Sequence, residues 1–122
     1  MKTNLKKLKK VLMAFAEKKN AEMKRRIDAS VGVEVEFEPI TQEEADETYN
    51  ELRITEEMID ACLKQRASGE VIISGEEGNN FDIVYVDYYN MDKSFELMEF
   101  LDENGFCSDW DTAGAIVCRA GR

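Results

Sequence analysis

Leu5, Leu8, Leu12 and Phe15 recur at helical spacing, and Met23 and Ile27 resume the stripe after the polar Lys19-Asn20. No glycine or proline precedes Gly32, so a basic amphipathic helix is predicted over residues 1–29. The pattern then switches. Val31, Val33, Val35 and Phe37 alternate with Gly32, Glu34, Glu36 and Glu38, which predicts a strand with one apolar and one acidic face. Pro39 ends it. Thr41-Gln-Glu-Glu44 is a capping box, opening a helix at about 42–53 whose inner positions are Ala45, Tyr49 and Leu52.

Thr55 is placed to cap a further helix, from Glu56 to about Ala67, buried through Met58, Ile59, Cys62 and Leu63 and stopped at Gly69. Val71–Ser74 and Phe81–Tyr89 are strand-like runs around a glycine- and asparagine-rich turn, and are predicted to pair as a hairpin. Asp92 is positioned to cap a helix over 93–103, with Asn104-Gly105 as its stop. Two last strands flank Asp111–Gly114. With 111 opposite 114, Cys107 would lie directly across from Cys118. The order α-β-α-α-β-β-α-β-β, with short connections, predicts a single α+β domain over 1–122. It would have one mainly antiparallel sheet of about five strands, with helices on one face.

Composition narrows the chemistry. The 122 residues hold 43% hydrophobic side chains, enough for one core without staples, and include no histidine, which removes His-based triads and most zinc sites. Cys62, Cys107 and Cys118 are odd in number and form no Cys-x-x-Cys pair. They read as packing thiols that stay reduced. No apolar run approaches the length of a membrane span and no secretory leader follows the basic start, so a cytoplasmic location and no membrane association are expected. Phosphate-binding glycine loops and nucleophile elbows are missing from the sequence. Asp109–Gly114 opens like a calcium loop but offers Ala113 and Ala120 where oxygen ligands are required. Glu22-Met-Lys24 has a nuclease-like spacing without an upstream aspartate, and Tyr85, Tyr88, Tyr89 and Trp110 lack the basic neighbours of a base-stacking platform. No cofactor, metal or catalytic residue is therefore expected, and the chain reads as non-enzymatic.

Charge changes the picture most. Residues 1–26 hold ten of the 16 basic groups and two of the 26 acidic ones, while the whole chain has a net charge of −10. A basic helix, with Lys6, Lys9, Lys10 and Lys18 as its candidate oligomerisation or contact face, thus precedes an acidic body at 30–122. That body argues against direct nucleic-acid binding. Glu34, Glu36 and Glu38 fall on one strand face, Glu43, Glu44, Glu47 and Glu51 on one helix, and Glu96, Glu99, Asp102 and Glu103 on another. Ordered carboxylates of this kind suit a protein partner with a basic groove, such as a nucleic-acid enzyme.

The candidate binding surface is Glu34, Glu36 and Glu38 together with Glu96, Glu99, Asp102 and Glu103. In size and charge alone the chain resembles the small inhibitors that phages and mobile elements direct against restriction or CRISPR effectors. The expectation is a small acidic interaction protein that mimics nucleic acid. Two alternatives stand beside it: a homo-oligomeric adaptor, a dimer for instance, whose basic helix docks on an acidic surface, and an enzyme working with carboxylates alone. Acidic faces that only keep the protein soluble explain the same residues more plainly.

Overall fold

The computed structural model describes residues 2–33, 38–74, 91–112 and 115–120. Its elements are α1 (Leu5–Ala29), α2 (Gln42–Leu52), α3 (Glu56–Cys62), β1 (Leu63–Gln65), β2 (Val71–Ser74), α4 (Met91–Glu103), β3 (Phe106–Thr112) and β4 (Ala115–Ala120). The fold is α+β, and the strands form one antiparallel sheet in the order β1-β2-β4-β3. The chain divides into two compact units, Met1–Phe15 with Glu56–Arg122, and Ala16–Thr55.

In the first unit the start of α1 follows the predicted stripe. Asn4 caps it, its Oδ1 accepting from the Lys7 amide at 3.1 Å. Leu8, Leu12 and Phe15 are buried, whereas Leu5 in the first turn stays exposed. They join a core with Ile59, Cys62, Val71, Ile73, Leu97, Leu101, Phe106, Ile116 and Cys118. The rings of Phe15 and Phe100 meet at 5.2 Å in a tilted pair. Helices α3 and α4 pack on β2 and β3.

Ile72, Ala115 and Val117 form a separate buried cluster on the opposite sheet face. Both faces of the central strands are thus out of water. The unbroken runs Val71-Ile-Ile73 and Ala115-Ile-Val-Cys118 are the sequence signature of that double burial.

Several expectations are corrected. The helix after Thr55 ends at Cys62, not near Ala67, because Leu63–Gln65 pair with Ile73–Val71 and give β2 its first neighbour. Gly69 therefore terminates no helix; it occupies the positive-φ position, +95°, in the loop between β1 and β2. Strand β2 is paired by β1 on one edge and by β4 on the other, and residues 81–89 of the predicted hairpin lie outside those described. Helix α4 starts at Met91, so Asp92 falls inside it rather than capping it. Its stop is as expected: Gly105 has φ +87°, and the Asn104 side chain donates to the Phe100 carbonyl at 2.8 Å.

The last hairpin is shifted by one residue. Thr112 pairs with Ala115, and the register changes across Asp111, so that Cys107 lies opposite Arg119 and Ser108 opposite Cys118. A shift of one residue turns a side chain to the other face of the sheet, and accordingly Cys107 is exposed while Cys118 is buried. The two thiols are not a facing pair.

Residues 2–4 are fastened to this sheet. The Thr3 amide donates to the Gly69 carbonyl at 2.9 Å, and its hydroxyl to the Cys118 carbonyl at 3.3 Å. The Gln65 side-chain amide donates in turn to the Thr3 carbonyl at 3.4 Å. Thr3 is only 3% exposed, so these bonds replace those it gives up to water. A Cβ at position 69 would stand 3.0 Å from the Lys2 Cα, a backbone atom with little room to yield. Gly69→Ala combines that clash with a left-handed φ, and an unfolding-free-energy loss of about 2 kcal/mol is expected in a denaturant titration.

In the unit Ala16–Thr55, the later part of α1 runs antiparallel to α2, since Asn20 meets Ile54, Lys24 meets Tyr49 and Asp28 meets Gln42. The capping box forms as predicted: the Glu44 amide donates to Thr41 Oγ1 at 3.1 Å, and the Thr41 amide to Glu44 Oε1 at 3.2 Å. The alternating strand does not begin at Val31. The turn that ends α1 continues through Val33, whose amide donates to the Ser30 carbonyl, and Gly32 adopts φ +73°. Val31 forms only an isolated parallel bridge with Ile40. Residues 34–37 of that predicted strand lie outside those described.

Candidate interaction surface

Helix α4 places its carboxylates by simple periodicity. At 100° per residue, Glu96, Glu99, Asp102 and Glu103 span about 120° of its circumference. Leu97 and Leu101, on the other side, are fully buried. All four acidic side chains are exposed. Glu99, Asp102 and Glu103 enter no ion pair among the described residues. The adjacent Trp110 on β3 is 38% exposed, and its indole N–H points to the Met98 sulfur at 2.9 Å.

Other acids of the same unit are consumed internally. Arg66 reaches Asp111 at 2.8 Å and Glu70 at 3.5 Å, and Arg119 reaches Glu70 at 3.1 Å, lacing the β1–β2 loop to β3 and β4. Asp111, a residue of the incomplete calcium-loop pattern, is thus an arginine partner, and Asp109 accepts from the Trp110 amide at 2.8 Å. No group of three Asp, Glu or Cys converges to hold a metal among the described residues. The links from Arg66 to Asp111 and from Glu70 to Arg119 had no signal in the sequence, because their partners are 45 and 49 positions apart.

The basic face divides. Lys9 turns onto α3, ion-paired with Glu56 at 2.8 Å and Asp60 at 2.9 Å, and hydrogen bonds to those carboxylates raise its pKa. Lys6 and Lys10 remain exposed on the same stretch of α1, and Lys18 is exposed in the other unit. Lys7 lies over the Phe106 ring at 5.4 Å. Of the predicted acidic strand, Glu38 is exposed in the unit Ala16–Thr55, while Glu34 and Glu36 lie outside the described residues. That unit also holds the acidic helix α2, where Glu43, Glu44, Glu47 and Glu51 are all exposed.

The buried thiols are poor nucleophiles. Burial pushes both Cys62 and Cys118 up to about 12, and the Cys62 S–H also donates to the Ile59 carbonyl at 3.1 Å. Among the described residues, no helix is long and apolar enough to cross a membrane. No family model matches the chain, and neither curated proteins nor solved structures yield a match.

Proposed function

We propose that the protein acts by contact, through an acidic surface centred on the outer face of α4, against a partner with a basic groove. The nucleic-acid site of a DNA- or RNA-handling enzyme is a groove of that kind. The supporting observation is the contrast within one unit: Glu56, Asp60, Glu70 and Asp111 are neutralised by Lys9, Arg66 and Arg119, whereas Glu99, Asp102 and Glu103 have no such partners among the described residues. From Glu96 to Glu103 the helix axis advances about 10.5 Å, a mean spacing of about 3.5 Å between its four carboxylates. A single DNA strand carries one phosphate per ~3.4 Å of axis, so the linear charge densities are close. A partner shaped for phosphates would meet a comparable field, strongest at low salt.

The test is affinity capture with tagged protein at low and high salt, then displacement of a fluorescent duplex from each nucleic-acid enzyme retained. Displacement at low salt is expected, weakened roughly tenfold or more by the combined substitutions Glu99→Gln, Asp102→Asn and Glu103→Gln. If no such enzyme is retained, or if the substituted protein competes as well as the original, the reading fails.

A further inference from the structure

The unit Ala16–Thr55 has almost no interior. Among its described residues only Ala16 and Ala45 are fully buried, and both are small. Met23, Ile27, Tyr49 and Ile54 are half-buried, while Leu52 is 59% exposed. A segment of about 40 residues rarely buries enough apolar surface to hold itself together. What fastens α2 along the later part of α1 is a short series of polar latches. Asn20 donates to the Ile54 carbonyl at 2.9 Å and accepts from the Ile54 amide at 2.8 Å. Lys24 lies 5.5 Å from the centre of the Tyr49 ring, and Gln42 donates to Asp28 at 3.2 Å. The Asn20 bonds are partly shielded from water, whereas the Gln42 bond is exposed and gains little over its hydrated alternative.

Helix α2 does not supply the missing stability itself. Its 11 residues fall short of the length, about 12–15 residues, at which isolated helices persist even marginally in water. It contains five acids and no base. The capping box and the first-turn Glu43 and Glu44 favour its start, but Glu47 stands four positions from both Glu43 and Glu51, a like-charge spacing that weakens a helix. Glu51 also lies in the last turn, where the helix dipole disfavours a carboxylate. Helix α2 is therefore helical only while it lies on α1. The sheet unit is built differently: Leu97 and Leu101 of α4 and Ile116 and Cys118 of β4 are fully buried, and β4 is paired on both edges. Opening free energies within one fold run from near zero to the global value, and differences of this kind set them.

We infer that α2 is a strap: it melts and leaves α1 while the sheet unit stays folded, and its release uncovers Met23 and Ile27 on the inner stripe of α1. The opening involves no residue of the acidic face of α4, so it stands or falls independently of the partner proposed for that face.

Hydrogen exchange of the full chain at neutral pH, read by peptide mass analysis, is the test. Amides of 45–52 are expected to exchange at least about a hundredfold faster than those of 97–101 and 116–118, relative to their unfolded rates. Denaturant kept below the unfolding transition should scarcely change the rate at 45–52, because a local opening exposes little surface, while it accelerates the other two segments. Asn20→Ala removes both bonds to Ile54 and should speed exchange at 45–52 by roughly tenfold, with the core segments and the denaturant midpoint unchanged. Glu51→Lys, on the outer side of α2, replaces a repulsive spacing with a favourable one and should slow exchange at 45–52 by roughly twofold. Exchange at 45–52 in step with 97–101 and 116–118, with the same denaturant dependence, overturns the inference. So does an Asn20→Ala variant whose core segments lose as much protection as α2.

Discussion

Native protein exposed to a small thiol-alkylating reagent at mildly alkaline pH is expected to be modified at Cys107 alone. Cys62 and Cys118 should react on the order of a thousandfold more slowly until the chain is unfolded, when all three become available. Two causes act together. Cys62 and Cys118 are buried, and burial lifts both thiols to about 12, so at mildly alkaline pH only about one in 10³–10⁴ of either is thiolate, the reactive form. Cys107, on an edge strand, is open to solvent. Peptide mass analysis after timed labelling reads the result. Rapid labelling of Cys118 alongside Cys107 would mean that the β3–β4 register is wrong. The same shift sets an alkaline limit. Unfolded thiols ionise near 9 while the folded ones hold their protons to about 12, so stability falls as pH rises through that window. The slope approaches about 1.4 kcal/mol per pH unit for each buried thiol, and Cys62→Ala with Cys118→Ala should flatten it.

Truncating Ile116 to alanine is expected to cost about 2–5 kcal/mol, measured by denaturant unfolding. The side chain is fully buried on β4, which lies between β2 and β3, and its backbone pairs with Ile73 on one side and Trp110 on the other. Relaxation into the cavity would have to move two ladders at once, so collapse is limited. Leu52→Ala offers the contrast. Leucine at 59% exposure has little transfer free energy to lose, and a change below about 1 kcal/mol is expected in the monomer. Similar losses at the two positions would mean that the interior is not where the sheet places it.

Local signals were read well wherever neighbours in sequence settle the outcome. The Thr41–Glu44 capping box, the Asn104-Gly105 stop and the stripe Leu8, Leu12, Phe15 all stand. Each depends on groups within a few turns of one another. Failures cluster where a distant strand competes for the same residues. Leu63 continues the apolar stripe of α3, yet its backbone is taken by Ile73. Trp110 and Thr112 are both paired, but the register shift between them at Asp111 depends on how β4 lies against β3 and not on the turn residues alone. On the candidate surface, the outward placement of Glu96, Glu99, Asp102 and Glu103 followed from periodicity. The pairing of Lys9 with Glu56 and Asp60 needed coordinates, since charge counts cannot tell an exposed lysine from a paired one.

Composition and periodicity by themselves determined the α+β class, most helix faces, the lack of histidine chemistry and the segregation of charge along the chain. Composition is a sum over residues that no contact changes, and a repeat holds along its element until a distant strand takes part of it, as Ile73 takes Leu63. Tertiary structure alone decided the strand order, the register that separates Cys107 from Cys118, the anchoring of Thr3 to Gly69 and Cys118 and the identity of the neutralised acids. Those outcomes turn on which distant backbone or side chain supplies a partner for a group leaving water. A group of given chemistry has many such candidates in the sequence, and only the folded chain brings one of them within bonding distance.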